Sequence, residues 1–304
     1  MKILLCRTDG IGDLIQSLTG LQDLKKKYSE LFIGYIVKKA NAPLLKDHPF
    51  IDQIHFIEET DSSNLKKYGY DASVIMFFNR QIGQLIKKAG IPKRIGPLSK
   101  FTSFFYLNCG MRQKRSESAK NEAEYNVDLI NSLMPKVKGN RPEIYNKGIL
   151  SQGLPQKYVL LAPQTKGSSL NISDDLYMEI AEYLSKKIPL VIDGIENSSL
   201  TKKLERLNRN IYNLIAIITI SDVVMSPRTG TLHLANALGK KVVSFYPTKP
   251  VLSITRWAPY KYEGEILISK TICRKKGKCP EKCDINCMDF NIEQVKEAVN
   301  KLLV

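Results

Sequence analysis

The feature that most constrains this chain is an alternation of short apolar runs with amphipathic stretches, which occurs twice. In the first half KILLC (2–6), LFIGYIV (31–37), IDQIHFI (51–57) and DASVIMFF (71–78) read as strands. Leu14, Leu18, Leu21 and Leu24 recur at helical spacing between the first two. Short helices are expected around 41–46 and over 81–89, the latter closed by Gly90 and Pro92. Apolar strands separated by helices are the pattern of a parallel sheet covered on both faces.

The second half repeats the pattern. YVLLA (158–162), IPLVIDG (188–194), VVM (223–225) and KVVSFYP (241–247) read as strands. Helices are expected over 173–187, 198–207, 214–222, 229–239 and 291–303, with Ser173 and Asp174 capping the first of these. The Pro- and Gly-rich stretch 135–156 reads as a linker. The expected organisation is therefore α/β, with domains at 1–150 and 151–304. The last helix is a candidate to cross back onto the first domain.

With 46 Lys and Arg against 30 Asp and Glu, the formal net charge is +16. That balance attracts anions: nucleic acid, anionic lipid or nucleotide diphosphates. No recognised nucleic-acid module accompanies it, and the charge is spread over both halves, so a nucleic-acid partner is not expected. The run Ile3–Cys6 is too short for a signal peptide and no stretch is long enough to span a bilayer. A cytoplasmic chain is expected, resting against the inner face of an anionic membrane at most.

Chemistry-bearing residues gather after the strands. In TDGIGDLIQSL (8–18), Gly10 and Gly12 let the backbone approach a ligand or neighbour, and Asp13 falls in the first turn of the next helix. A capping acid and a catalytic base are both open readings of Asp13. The G-x-G-x-x-G and G-x-x-x-x-G-K-[ST] patterns are absent, which disfavours ordinary NAD and P-loop chemistry. In SPRTGTLHLANALG (226–239), Thr229, Gly230 and Thr231 offer donors at a helix start and Arg228 adds charge, together a cradle for a diphosphate. His233, one turn on, either contacts the ligand or serves the core. Lys166 and Ser168 in APQTKGSSLN (162–171) could contact phosphates or belong to a solvated loop. Glu196 could accept from a ribose or merely start a helix.

Two further stretches carry open readings. Residues 93–115 hold Lys93, Arg94, Lys100, Arg112, Lys114 and Arg115 with no acid, interleaved with Phe101, Phe104, Phe105 and Tyr106. This is either an acceptor-facing surface or a solvated one with the phenylalanines on its buried side. Cys273, Cys279, Cys283 and Cys287 could together hold zinc, but the C-x5-C-x3-C-x3-C spacing lacks C-x2-C knuckles. Free structural thiols are the expected state.

The chain resembles the ADP-heptose:lipopolysaccharide heptosyltransferases, glycosyltransferase family 9. That family opens with a strand, a small-residue turn and Gly-Asp, matched by Gly12-Asp13. Its D-T-G-x-x-H-x-A-x-A-L-G signature is matched by RTGTLHLANALG (228–239) except at the first position. The family then has a strand and Phe-Gly-Pro-Thr, where FYPT (245–248) stands here, followed by Trp257-Ala258-Pro259. Cys287-Met288 before the last helix is similar too.

The resemblance covers nearly the whole chain and implies a GT-B architecture: two Rossmann-like domains with parallel sheets facing an interdomain cleft. It also implies an inverting, metal-independent glycosyltransferase without a cofactor, moving heptose or a related sugar from a nucleotide-diphosphate donor such as ADP-heptose. The implied acceptor is a lipopolysaccharide core or similar surface glycan bound by the first domain, with Asp13 deprotonating its hydroxyl. The donor would sit on the second domain, against Lys166, Ser168, Glu196, Arg228, Thr229, Gly230, Thr231 and His233, with Gly12 beside it.

Three departures stand out. Arg228 replaces the family's acid, and Tyr246 replaces its glycine. Leu170, Asn171 and Ile172 stand where a lysine is usual, with Lys166 the nearest substitute. They keep open a catalytically silent nucleotide-sugar-binding protein of the same fold.

Overall fold

The computed structural model describes residues 1–150, 153–163, 170–192, 210–273 and 286–303. The chain divides into two units: Met1–Arg115 with Glu122–Asn146, and Ser116–Asn121 with Lys147–Val304. The change of unit after Asn146 falls inside the expected linker.

The first unit is built on six parallel strands: β1 (Lys2–Cys6), β2 (Phe32–Val37), β3 (Gln53–Phe56), β4 (Ala72–Ile75), β5 (Lys93–Pro97) and β6 (Cys109–Met111). Their order is β3-β2-β1-β4-β5-β6. The central strand β1 pairs Cys6 with Ile36 on one side and with Ile75 on the other. Strand order reverses between β1 and β4, the position where open α/β sheets place ligands beyond their carboxyl ends. Strands buried on both faces need unbroken apolar runs, and Ile3, Leu4 and Leu5 are completely buried.

Five helices complete this unit: α1 (Ile11–Ser17), α2 (Leu21–Lys27), α3 (Ser62–Tyr68), α4 (Arg80–Lys88) and α5 (Glu122–Asn131). The leucine repeat over 14–24 does not form one helix. Gly20 adopts φ 89°, a left-handed conformation, and separates α1 from α2. The short helix expected at 41–46 is a 3-10 turn over Lys39–Leu44. Strands β5 and β6 were not evident in the sequence.

The second unit carries β7 (Val159–Leu161), β8 (Leu190–Ile192), β9 (Val223–Met225), β10 (Lys241–Tyr246) and β11 (Gly264–Ile268), all parallel, in the order β11-β10-β9-β7-β8. Its reversal lies between β7 and β9. Among its described residues the helices are α6 (Asp174–Ser185), α7 (Ile211–Ile220), α8 (Gly230–Ala237), α9 (Ile254–Trp257) and α10 (Ile292–Leu302). Ser173 caps α6 by accepting from the Leu176 amide at 3.3 Å. Leu176, Tyr177, Ile180 and Leu184 then face the core with Val159, Met225 and Phe245.

The last helix contributes to the core of its own unit. Asn291 and Gln294 form a reciprocal capping box, and α10 packs Val295 and Val299 into the second unit's own core. Tyr183 donates to Asn300 across α6 and α10 at 2.8 Å. The helix expected over 198–207 lies outside the described residues.

These two parallel sheets, each flanked by helices, form a two-domain GT-B-like α/β architecture.

Candidate functional site

In the first unit the site grows from the end of β1. Arg7 follows the last strand residue, and its side chain is only 2% exposed. Burying a guanidinium is costly unless its donors are met. Nε donates to Asp9 Oδ1 at 2.7 Å and Nη2 to Asp13 Oδ1 at 2.6 Å. Nη1 donates to Glu122 Oε1 and Asn126 Oδ1, each at 3.2 Å. Arg115 Nη1 meets the same Glu122 oxygen at 2.5 Å. Burial works against the Arg7 charge, but Asp9, Asp13 and Glu122 more than offset it and push its pKa up.

Asp13 is the one of these carboxylates that follows Gly12 in the first turn of α1, with 28% of its side chain exposed. Its pKa is raised to about 6. Burial is the largest cause, Arg7 opposes it, and the neighbouring charges of Asp9 and Glu122 push the same way as burial. Gly10 has a steric reason: a β-carbon there would lie 3.2 Å from Asp13 Oδ2, tighter than ordinary contact. The glycine thus leaves the second carboxylate oxygen room while Arg7 fixes the first.

The neighbouring strand supplies the other wall. Asn79, just past β4, caps α4 by accepting from the Ile82 amide at 2.9 Å and donates to Thr8 Oγ1 at 3.2 Å. Phe77 is 40% exposed, with the Arg7 guanidinium 6.0 Å and the Lys100 ammonium 5.6 Å from its ring centre. Phe101, Phe104 and Phe105 are exposed, so the reading that puts them on a buried side is corrected.

In the second unit the corner after β9 begins α8. Thr229 is its N-cap in extended conformation, its hydroxyl 3.0 Å from that of Ser226, and no side chain caps the first turn. Gly230 and Thr231 open the helix, half-buried. The Arg228 guanidinium lies 5.5 Å from the Trp257 ring centre. Trp257 is itself fixed: Tyr246 Oη donates to its carbonyl at 2.7 Å, and its indole N–H donates to Val251 O at 3.0 Å. Tyr246 is fully buried, with its hydroxyl engaged in the wall behind Arg228. His233 is buried, and burial followed by the Arg228 charge pushes its pKa down to about 3, so the ring is neutral at physiological pH.

Lys166, Ser168 and Glu196 lie outside the described residues, as do Cys279 and Cys283. Cys273 and Cys287 are both buried. Among the described residues no group of three or more His, Cys, Asp or Glu could hold a metal ion.

Four residues escaped the sequence reading. Arg7, Glu122 and Asn126 meet only when β1 and α5 are brought together. The fourth is Lys249, just past β10 on the same sheet edge as Arg228. It is 1% exposed, and its ammonium has no hydrogen-bond partner among the described residues. A buried unpaired charge is unfavourable unless an anion arrives to meet it. Its only sequence signal is a lysine directly after a buried strand, in Pro247-Thr248-Lys249.

No family model matches the chain. A protein of Haemophilus influenzae described as a candidate glycosyltransferase is 27% identical over 297 residues, covering 85% of this chain and 86% of that protein. A family 9 glycosyl transferase from Veillonella parvula superposes with a TM-score of 0.81 at 15% identity, over 99% of this chain and 97% of that one. The E. coli ADP-heptose LPS heptosyltransferase II superposes with a TM-score of 0.77 at 18% identity, over 100% and 98%. The chain shares the fold of these two structures. Among the described residues no helix is long and apolar enough to cross a membrane.

Proposed function

We propose that the protein is an inverting, metal-independent glycosyltransferase of the family 9 type. It moves heptose or a related sugar from a nucleotide-diphosphate donor to a lipopolysaccharide core or similar surface glycan. The observation that carries this reading is Asp13: a partly exposed carboxylate at a sheet's switch point, held by a buried arginine, with its pKa raised to about 6. A general base works best when its pKa lies near the operating pH, and Asp13 at neutral pH is ionised yet basic enough to take a proton. The sequence relative in Haemophilus influenzae and the shared fold support the same class of chemistry.

In the reaction the acceptor hydroxyl gives its proton to Asp13. Its oxygen bonds to the anomeric carbon from the face opposite the leaving group, and the bond from that carbon to the diphosphate oxygen breaks. The electron pair leaves with the diphosphate. Transfer therefore needs a base at the acceptor and positive charge at the leaving group. The first unit's edge carries the base. The second unit's edge carries Arg228, Lys249 and the first turn of α8, with Thr229, Gly230 and Thr231 as hydrogen-bond donors and neutral His233 as a further polar contact. Lys166, Ser168 and Glu196 are proposed as donor contacts on sequence alone.

The test is release of nucleoside diphosphate from a panel of nucleotide sugars with lipopolysaccharide-core acceptors. Asp13→Asn is expected to lower turnover about 1,000-fold while leaving donor affinity within a factor of about two. Wild-type turnover should be half-maximal near pH 6, nearly full about one unit higher, and fall further as pH drops, because Asp13 must be unprotonated to act. Undiminished turnover in Asp13→Asn would reject the mechanism. Donor binding without turnover in the wild type would favour a silent nucleotide-sugar-binding protein, a reading that the replacement of the family's acid by Arg228 motivates.

A further inference from the structure

The 3-10 turn Phe101–Phe105 presents three phenylalanines to solvent: Phe101 is 78% exposed, Phe104 53% and Phe105 60%. They form one cluster, with the Phe101 ring centre 6.4 Å from that of Phe104 and 5.6 Å from that of Phe105. Together they offer roughly 400 Å² of aromatic surface, within the range of the single largest patch a typical monomer exposes, one that is often functional.

The turn is held in place. Buried Ser103 donates from both its amide and its hydroxyl to Lys100 O, at 2.9 and 2.5 Å. The Leu107 amide returns to Ser103 O at 2.9 Å, and Lys87 Nζ donates to Phe105 O at 3.0 Å. The fold thus fixes a segment whose apolar side chains contribute little to its own core.

We infer that this turn docks the first unit onto an anionic lipid bilayer, the three rings entering the acyl boundary while the cations around them meet lipid phosphates. Charge selects the occupant. The stretch from Lys93 to Arg115 has six cations and no acid, and Lys87, Lys93, Lys100 and Arg112 are exposed. Aromatic rings with Lys87 and Lys100 beside them suit a surface that is apolar within and negative at its rim. Exposed Phe77 is linked to the turn through Lys100, 5.6 Å from its ring centre, and to Arg7, 6.0 Å from it. Arg7 holds Asp13, so a docked first unit keeps its carboxylate close to the membrane surface, where a lipid-linked saccharide would present its hydroxyl. That last consequence rests on the transfer reading; the docking does not.

The experiment is co-sedimentation of the full chain with phosphatidylcholine vesicles and with vesicles of phosphatidylcholine and phosphatidylglycerol, without donor or acceptor. Binding is expected on the anionic vesicles, weaker on the neutral ones, and reduced by salt. Replacing Phe101, Phe104 and Phe105 together by Ser should weaken binding at least tenfold without lowering the unfolding midpoint. Phe101→Ser alone, at the most exposed ring, gives the same direction should the triple variant fold poorly. Phe101→Trp should blue-shift its emission on anionic vesicles. Absence of wild-type binding, or equal binding by the serine variants, overturns the proposal. So does concentration-dependent self-association that the serine variants abolish while vesicles leave the wild type in solution. None of these outcomes bears on nucleotide release.

Discussion

The two sheet edges handle buried positive charge in opposite ways. At the first, Arg7 is enclosed by Asp9, Asp13, Glu122 and Asn126, and every one of its nitrogens donates. At the second, Lys249 is as deeply buried, yet its ammonium meets no partner among the described residues. The first edge is neutralised from within, and its surplus carboxylate character settles on Asp13. The second leaves a buried amine with no partner among the described residues, an arrangement suited to a bound anion. A base is needed where an acceptor loses a proton, and cations where a diphosphate departs, so the contrast follows the two halves of the proposed reaction.

The comparison can be broken most forcefully at Arg7. Arg7→Met removes the centre of the acid cluster and leaves buried carboxylates facing one another, which should cost ~3–5 kcal/mol of stability. In the surviving folded fraction the acidic limb of the pH profile should move above 6, because Arg7 is the charge that holds Asp13 down. A denaturant titration and a pH–rate profile read the two effects. An unchanged midpoint would show that the cluster does not support the fold.

Lys249→Met should act in the reverse sense. Removing an unpaired buried charge is expected to raise stability of the unliganded protein by about 1–3 kcal/mol. The same change should weaken nucleoside-diphosphate binding ~10–100-fold, measured by calorimetry. Lower stability with unchanged affinity would erase the contrast between the edges.

The smallest expected effect is at Tyr246→Phe. It deletes the hydrogen bond to the Trp257 carbonyl and loosens the ring on which Arg228 rests. A loss of ~1 kcal/mol in stability and a few-fold rise in donor KM should follow, with kcat nearly unchanged.

Much of the fold was legible because its core strands are unbroken apolar runs and its helices carry their own caps. KILLC became β1, and Ser173 and Asn291 opened α6 and α10 at the expected places. What failed was local chemistry overruled by neighbours. β5 reads Lys-Arg-Ile-Gly-Pro, a poor strand by composition, but it pairs with β4 through Ala72 to Val74. β6 and β11 are edge strands, three and five residues long, with little burial to imprint a pattern. The leucine repeat across α1 and α2 kept its period through a turn that only the Gly20 backbone reveals.

Asp13 could be read from its place after two glycines at a helix start. Its anchor could not, because Glu122 lies 115 positions from Arg7 and nothing in either neighbourhood points to the other. Lys249 was hidden for a different reason: lysine is so often solvated that its sequence gives no sign of burial.

The assignment of Ser116–Asn121 to the second unit, where Asn121 donates to Ala258 O at 2.9 Å, makes the chain threaded rather than split by one boundary. A hybrid chain joined at residue 146 to a foreign carboxyl half would keep a native loop whose seat had been replaced. Exchanging the second unit by grafting would therefore require carrying that six-residue loop along with the half it belongs to.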